Sequence, residues 1–188
     1  MKIAFIGQKG IPVTFGGVEY HVDALATGLA ARGEDVSVYV RSWYTPRKLQ
    51  RVNGVRLLHL ATIRTKHLDA SVHSLLCSLH VLFAGADIVH YHGIGPAVFS
   101  LIPRLFGTRV VVTVHRLDWQ TEKWGRIARW FLRLGEYLAV RIPDRTIVVS
   151  EDLQRHFREC HGKETVHISH GIELPHLRAP GVIREKHG

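Results

Sequence analysis

Apolar positions along the chain alternate between two rhythms. Residues 2–7 (KIAFIG) form an apolar run of strand length, followed by a polar, glycine-bearing loop over 8–17. Over residues 18–32 the apolar positions Val18, Val22, Leu25, Ala26, Leu29 and Ala30 recur at helical spacing, and Gly33 stands where a helix stops. Residues 35–41 (DVSVYVR) and 54–60 (GVRLLHL) predict strands. Residues 67–83 predict a helix with Leu68, Val72, Leu75, Leu76, Leu79 and Phe83 facing inward. After a strand over 87–91, Pro96 opens a short helix that ends near Phe106-Gly107. Residues 108–114 (TRVVVTV) form a β-branched run, as expected of a strand covered on both faces. A long helix is predicted over 120–142, with Trp124, Ile127, Phe131, Leu134 and Leu138 inward. A strand over 144–149, an N-cap at Ser150, a helix over 151–160 and a last short strand over 165–168 complete the pattern. Residues 1–172 are expected to form one domain, and 173–188 a linker.

Seven strands alternating with helices predict an α/β protein: a Rossmann-like, open, mainly parallel twisted sheet with helices on both faces. Ligands of such sheets bind outside the carboxyl ends of the strands. That rule selects the loop over 8–17, the segment from His92 and Gly93 to Gly95, the segment from His115 to Asp118, and the surroundings of Ser150. In the first loop, Gly16-Gly17 opens a helix. No Cβ there blocks a ligand from the backbone, and first-turn N–H groups suit an anion such as a diphosphate. Glu19, two residues on, is a further candidate for the cleft, as are Arg116, Asp118 and Ser150. His115 ends a central strand and is expected to point into the crevice, where it can donate a hydrogen bond to a substrate or to developing charge.

Other chemistry is disfavoured. No GxGxxG follows the first strand, because Gly7-Gln8-Lys9-Gly10 has the wrong spacing, and no GxxxxGK[ST] occurs. His90 and His92 flank Tyr91 and are expected on opposite sides of their strand, a poor metal pair. His67, His73 and His80 also lack ligand spacing, so no metal site is expected.

Composition changes this picture in two places. Two cysteines, Cys77 and Cys160, exclude a disulfide framework and fit a reducing compartment. The chain opens on a strand without a signal-like segment, and its longest apolar stretch, 74–86, is too short to span a bilayer, so a cytoplasmic location is expected. The charge is also uneven. Lys and Arg number 25 against 16 Asp and Glu. Residues 41–66 carry seven basic side chains, Arg41 among them, and no acidic one. On the helix over 120–142, Arg126, Arg129, Trp130 and Arg133 share a face suited to peripheral contact with an anionic membrane; a plain solvated face is the competing reading. Glu151 and Glu159 enclose seven residues on a helix start and are read as a chance spacing.

Taken in order, several motifs resemble one family. They are Gly16-Gly17-x-Glu19, Arg32-Gly33-x-x-Val36-x-Val38, Asp87-Ile88-Val89-His90, Val112-Thr113-Val114-His115, Ile147-Val148-Val149-Ser150 and Val166-His167-Ile168-Ser169-His170-Gly171-Ile172-Glu173. The set resembles the N-terminal, acceptor-side domain of the retaining GT-B glycosyltransferases of family 4, related to bacterial cell-wall and exopolysaccharide sugar transferases. The resemblance implies sugar transfer from a nucleotide-sugar to a saccharide or lipid-linked acceptor, with retention and without a required metal or other cofactor. It implies that Gly16 and Gly17 belong to the loop that approaches the donor diphosphate, and that His115 stands beside the donor sugar. It further implies a C-terminal donor domain, in cis or on a separate chain, without which these 188 residues are expected to be inactive or nearly so. One motif departs from the family: the closing loop reads Ser169-His170-Gly171 where Pro-Asn-Gly is usual. Two alternatives stay open. One is a non-enzymatic acceptor-binding or membrane-recruiting subunit; the other is an unrelated Rossmann-like nucleotide or nucleic-acid binder, although nucleic acid is not the expected partner.

Overall fold

The computed structural model describes residues 1–65 and 68–171. The expected linker over 173–188, the motif residues Ile172 and Glu173, and His67 lie outside the described residues. The chain order is β1 (Lys2–Ile6), α1 (Gly17–Ala31), β2 (Asp35–Arg41), β3 (Arg51–Val52), β4 (Val55–Leu60), α2 (Asp69–Ala84), β5 (Ile88–His92), α3 (Ile94–Ala97), α4 (Leu101–Leu105), β6 (Arg109–Val114), α5 (Arg126–Ala139), β7 (Arg145–Val148), α6 (Glu151–His161) and β8 (Val166–His167). The eight strands form one sheet in the order β3-β4-β2-β1-β5-β6-β7-β8. All pairs are parallel except β3 with β4. The strand beyond the predicted seven is β3, a two-residue piece that pairs back on β4 through a turn in which Asn53 and Gly54 take positive φ. Periodicity carries no signal at that length.

Strand alternation sends the two sides of β1 into different cores. Ile3 and Phe5 pack with Val22 and Ala26 of α1 and with Val36, Val38 and Val40 of β2. Ala4 and Ile6 join Val89, Tyr91, Val110, Val112 and Val114 on the other face, under α2, α5 and α6. From β1 the chain winds first outward through β2 to β4, then returns to the far side of β1 and winds through β5 to β8. The direction reverses between β1 and β5, and at this switch the carboxyl ends of two adjacent strands part to leave a crevice.

Two helices face differently from their predicted stripes. α2 buries His73, Ser74, Cys77, Ser78 and Val81, and turns Leu75, Leu76, Leu79 and Phe83 outward, Phe83 being 89% exposed. Small and hydrogen-bonding side chains bring this helix close to the sheet. Ser78 shares a hydrogen bond with the Tyr91 hydroxyl at 2.6 Å and donates to the Ser74 carbonyl at 2.7 Å. In α5 the buried residues are Leu132, Gly135, Glu136 and Ala139, while Ile127 is 86% exposed. The helix begins at Arg126 rather than near 120, after a short 3-10 turn over Asp118–Gln120. Gly135 fixes its position: a Cβ there would lie 2.0 Å from the Ile94 carbonyl oxygen, so α5 crosses the backbone of α3 at this residue. Among the described residues, no helix is long and apolar enough to cross a membrane.

Candidate active site

The loop leaving β1 is tied down at both ends. The buried Gln8 amide donates to the carbonyls of Tyr39 at 2.9 Å and Phe5 at 3.3 Å. The Tyr44 hydroxyl accepts from the backbone N–H groups of Thr14 and Phe15, at 2.9 and 3.1 Å. Asp23 of α1 accepts from Val13 N–H at 2.9 Å. Glu19 is buried beneath the loop, where its carboxylate accepts from Lys9 N–H at 3.0 Å and meets the Lys9 ammonium at 3.5 Å. It shapes the loop rather than lining the cleft as expected. It also explains why position 16 is glycine: φ is +104°, and a Cβ would stand 1.9 Å from Glu19 Oε2. Gly17 differs, since a Cβ there meets nothing within 4 Å. The protein itself leaves that space open at the first turn of α1.

Across the switch, β5 and β6 deliver histidines. His90 and His92 share one face of β5, with ring centroids 4.4 Å apart, and both rings lie against Phe5. The expectation of opposite sides fails because residues i and i+2 of a strand point the same way. His90 Nε2 bonds Thr113 Oγ1 at 2.7 Å. His92 Nδ1 lies 3.1 Å from His115 Nε2; His115 Nδ1 lies 3.2 Å from His170 Nε2; His170 Nδ1 lies 3.0 Å from His21 Nδ1. Four imidazoles from β5, the end of β6, the loop after β8 and the second turn of α1 thus form one continuous chain. With all four rings neutral, each offers one donor and one acceptor, so the bonds along the chain run in one direction. Burial is the first cause that lowers the pKa of His21, His90, His92 and His115, and repulsion from neighbouring rings adds to it. His115 is lowered to about 3, His21 to about 4, His90 to about 3, and His92 falls well below the ordinary range. At neutral pH His115 is therefore an imidazole, its one N–H and one lone pair engaged by His92 and His170.

The remaining candidates divide. Gly93, with φ +97°, caps α3 and donates its N–H to the Thr113 carbonyl at 2.8 Å, beside His92 in the crevice. Arg116 and Asp118 pair with each other at 2.7 Å on the loop after β6. Ser150 caps α6, its hydroxyl accepting from Leu153 N–H at 3.2 Å, so that oxygen serves the helix. Arg126, Arg129, Trp130 and Arg133 all lie exposed on α5, Arg133 over the Trp119 ring at 4.7 Å. Arg41, counted with the basic stretch, is instead buried against Asp69 at 2.8 Å. His21 and His170 escaped the sequence reading. His21 follows the glycine pair by one helical turn, and His170 stands at the position where the closing motif departs from its usual form; neither spacing belongs to a ligand or catalytic pattern.

A largely apolar groove of about 900 Å³ lies among the start of α2, α3 and α5. It is lined by Leu68, Pro96, Trp124, Ile127 and Phe131, with Asp118 and Arg126 at its polar positions. Its lining includes Gly95 and Pro96 of α3, which follows Gly93 directly, and Asp118 on the loop after His115.

Comparison with known proteins now decides the family. The profile of Glycosyltransferase Family 4 matches residues 15–175, which include the glycine pair and all four rings of the chain. The chain belongs to glycosyltransferase family 4. No curated protein matches its sequence. Among solved structures, Anabaena HepE, crystallised in complex with UDP and glucose, superposes with a TM-score of 0.68 at 19% identity. The alignment covers 99% of this chain and 49% of HepE, so the family 4 chain described here spans about half the length of that protein. At this identity the likeness establishes the fold, an α/β half of GT-B type. Membership also removes the unrelated Rossmann-like binder from the alternatives.

Proposed function

We propose that this chain forms the acceptor-side half of a retaining glycosyltransferase that moves a sugar from a nucleotide-sugar to a lipid-linked, cell-envelope or polysaccharide acceptor. The observation that carries the reading is the meeting, at one strand crevice, of the open backbone at Gly17 and the neutral His115; an apolar groove shares Asp118 of the loop after His115. The groove is of a size to take a lipid-like portion of an acceptor. The open α1 N-terminus suits the donor diphosphate. On donor binding His115 gives up one of its two histidine partners and turns that nitrogen's N–H toward the sugar or the charge that develops as the diphosphate leaves, and hydrogen bonds aimed at developing charge are a main source of rate. In this reading no metal is required at the crevice. A C-terminal donor domain, in cis or on a separate chain, closes the cleft and brings the remaining diphosphate contacts. HepE's complex with UDP and glucose supports a nucleotide-sugar as the donor class.

The test joins this chain to its natural downstream sequence or partner chain and assays transfer with a panel of nucleotide-sugars and membrane lipid extract. Transfer in the joined form, and little or none in the 188-residue chain, is the expected result. His115→Ala in the joined form should slow turnover about 10²- to 10³-fold with an unchanged circular dichroism spectrum. Unchanged turnover removes His115 from the mechanism. A second reading, a membrane-recruiting subunit without chemistry of its own, draws on the exposed Arg126–Arg133 face. Absence of transfer in every joined form, together with binding to anionic vesicles, would favour it.

A further inference from the structure

A second cluster of ligand-type side chains lies between α5 and α6. The buried Glu136 carboxylate, 4% exposed, accepts through Oε1 from His156 Nε2 at 2.6 Å and from His161 Nε2 at 2.8 Å. Its other oxygen accepts from Trp119 Nε1. One ligand atom from each of Glu136, His156 and His161 lies within 4.8 Å of the other two. The side chains of His156 and His161 retain 23% and 16% exposure, so the cluster has a solvent side.

From this geometry we infer that Glu136, His156 and His161 form a binding site for one divalent transition ion of the zinc class. Two imidazole nitrogens and one carboxylate oxygen form the donor set that such ions take, with a water on the open side as fourth ligand. Magnesium and calcium, which favour all-oxygen sets, are poorly served. Ligand atoms around a tetrahedral ion stand about 3.3 Å apart for bonds of roughly 2.0–2.1 Å, so the two short contacts open by about 0.5–0.7 Å, while the two imidazole nitrogens, within 4.8 Å of each other, settle at the same spacing. Each imidazole then presents its Nε2 lone pair and carries its proton on Nδ1. For His156 that nitrogen faces Cys160 Sγ at 3.6 Å, a ready acceptor. Trp119, on the far carboxylate oxygen, orients Glu136 in the manner of an outer-shell partner. The ion would bolt α6 to α5, and the site shares none of its residues with the crevice chain.

The test uses the full natural chain, stripped with chelator. Titration with ZnCl₂ in a calorimeter should show one equivalent bound at this site, with a rise in the thermal midpoint, and Co²⁺ should give the visible absorption of a low-symmetry site. His156→Gln and His161→Gln should each abolish both signals, His115→Ala should keep them, and Trp119→Phe should weaken binding about 10- to 100-fold. The midpoint in chelator shows whether each variant is folded. Should both histidine variants unfold, X-ray absorption of the zinc-loaded wild-type protein carries the test by reading two imidazoles in the ion's coordination shell. No zinc binding, binding that survives both histidine changes in folded protein, or binding lost in His115→Ala would overturn the proposal.

Discussion

Adjacent glycines at the mouth of α1 hold different positions for different reasons, and single substitutions separate them. At Gly16 the backbone conformation and the Glu19 carboxylate both exclude a side chain. Gly16→Ala should therefore cost about 2 kcal/mol or more, read as a lower urea midpoint, through strain and overpacking. At Gly17 the space is empty and the residue opens a helix. Gly17→Ala should leave the urea midpoint unchanged or slightly higher, while raising the KM for the nucleotide-sugar in the joined enzyme. A stable Gly17→Ala enzyme with unaltered KM would mean that the diphosphate binds elsewhere. The sequence showed the pair but not the division of labour. Glu19 is charged and two residues into a helix, and composition alone places such a side chain in solvent or at a ligand. Its burial follows from Lys9, whose N–H and ammonium both turn toward it.

Strands and the inner face of α1 were legible in the sequence, and the faces of α2 and α5 were not. β-branched runs such as Thr108–Val114 have few ways to be satisfied outside a covered sheet, and the order of strands and glycines carried the architecture. An apolar stripe on a helix, by contrast, says only that one side differs from the other. In α2 the side toward the sheet is made by Ser74, Cys77 and Ser78, whose small volumes, with the Ser78 hydrogen bond to Tyr91, allow close approach, and the leucines are left outside. In α5 the decision belongs to Gly135, which admits the Ile94 carbonyl and so rotates Ile127 and Trp130 outward beside Arg126, Arg129 and Arg133. That outward face combines a protruding isoleucine and tryptophan with three guanidinium groups, a mixture suited to an anionic interface. Replacing Arg126, Arg129 and Arg133 together by Glu should reduce sedimentation with vesicles rich in anionic lipid, and the wild-type binding should itself fall with salt. Equal sedimentation of variant and wild type would leave α5 as scaffold alone.

Across the whole molecule, buried neutral histidines set a dependence on acidity. His73 and His21 are held near 4, His90 and His115 near 3, and His92 well below its ordinary value, burial being the first cause in every case. Unfolded, the same side chains titrate near about 6.5. Below that value the unfolded chain binds more protons than the native one, so stability falls as the pH drops from about 6.5 toward 4. Above it both states are neutral and the dependence vanishes. Glu136 acts in a lower window: burial raises its pKa, but hydrogen bonds from His156, His161 and Trp119 outweigh that, and the net lowering from 4.5 gives a contribution lost only as the pH falls further. The urea midpoint should thus be level between pH 8 and 7 and decline steeply from 6 to 5. A level profile down to pH 5 would show that the folded rings take up protons, and the one-directional chain through His115 would have to be redrawn.

The central place of β1 has a consequence in time as well as in space. This strand is complete six residues into the chain, yet its partner on one edge, β5, begins at Ile88. A ribosome must therefore deliver more than eighty residues before that edge can be closed, and parallel pairing offers no hairpin to close it sooner. During synthesis the β1–β2 pair waits with an apolar edge open, which is the form in which nascent chains pair wrongly with one another or are held by chaperones. The strand that organises the finished cleft is thus also the one whose protection comes late, and the speed at which residues 42–87 are translated sets how long the exposure lasts.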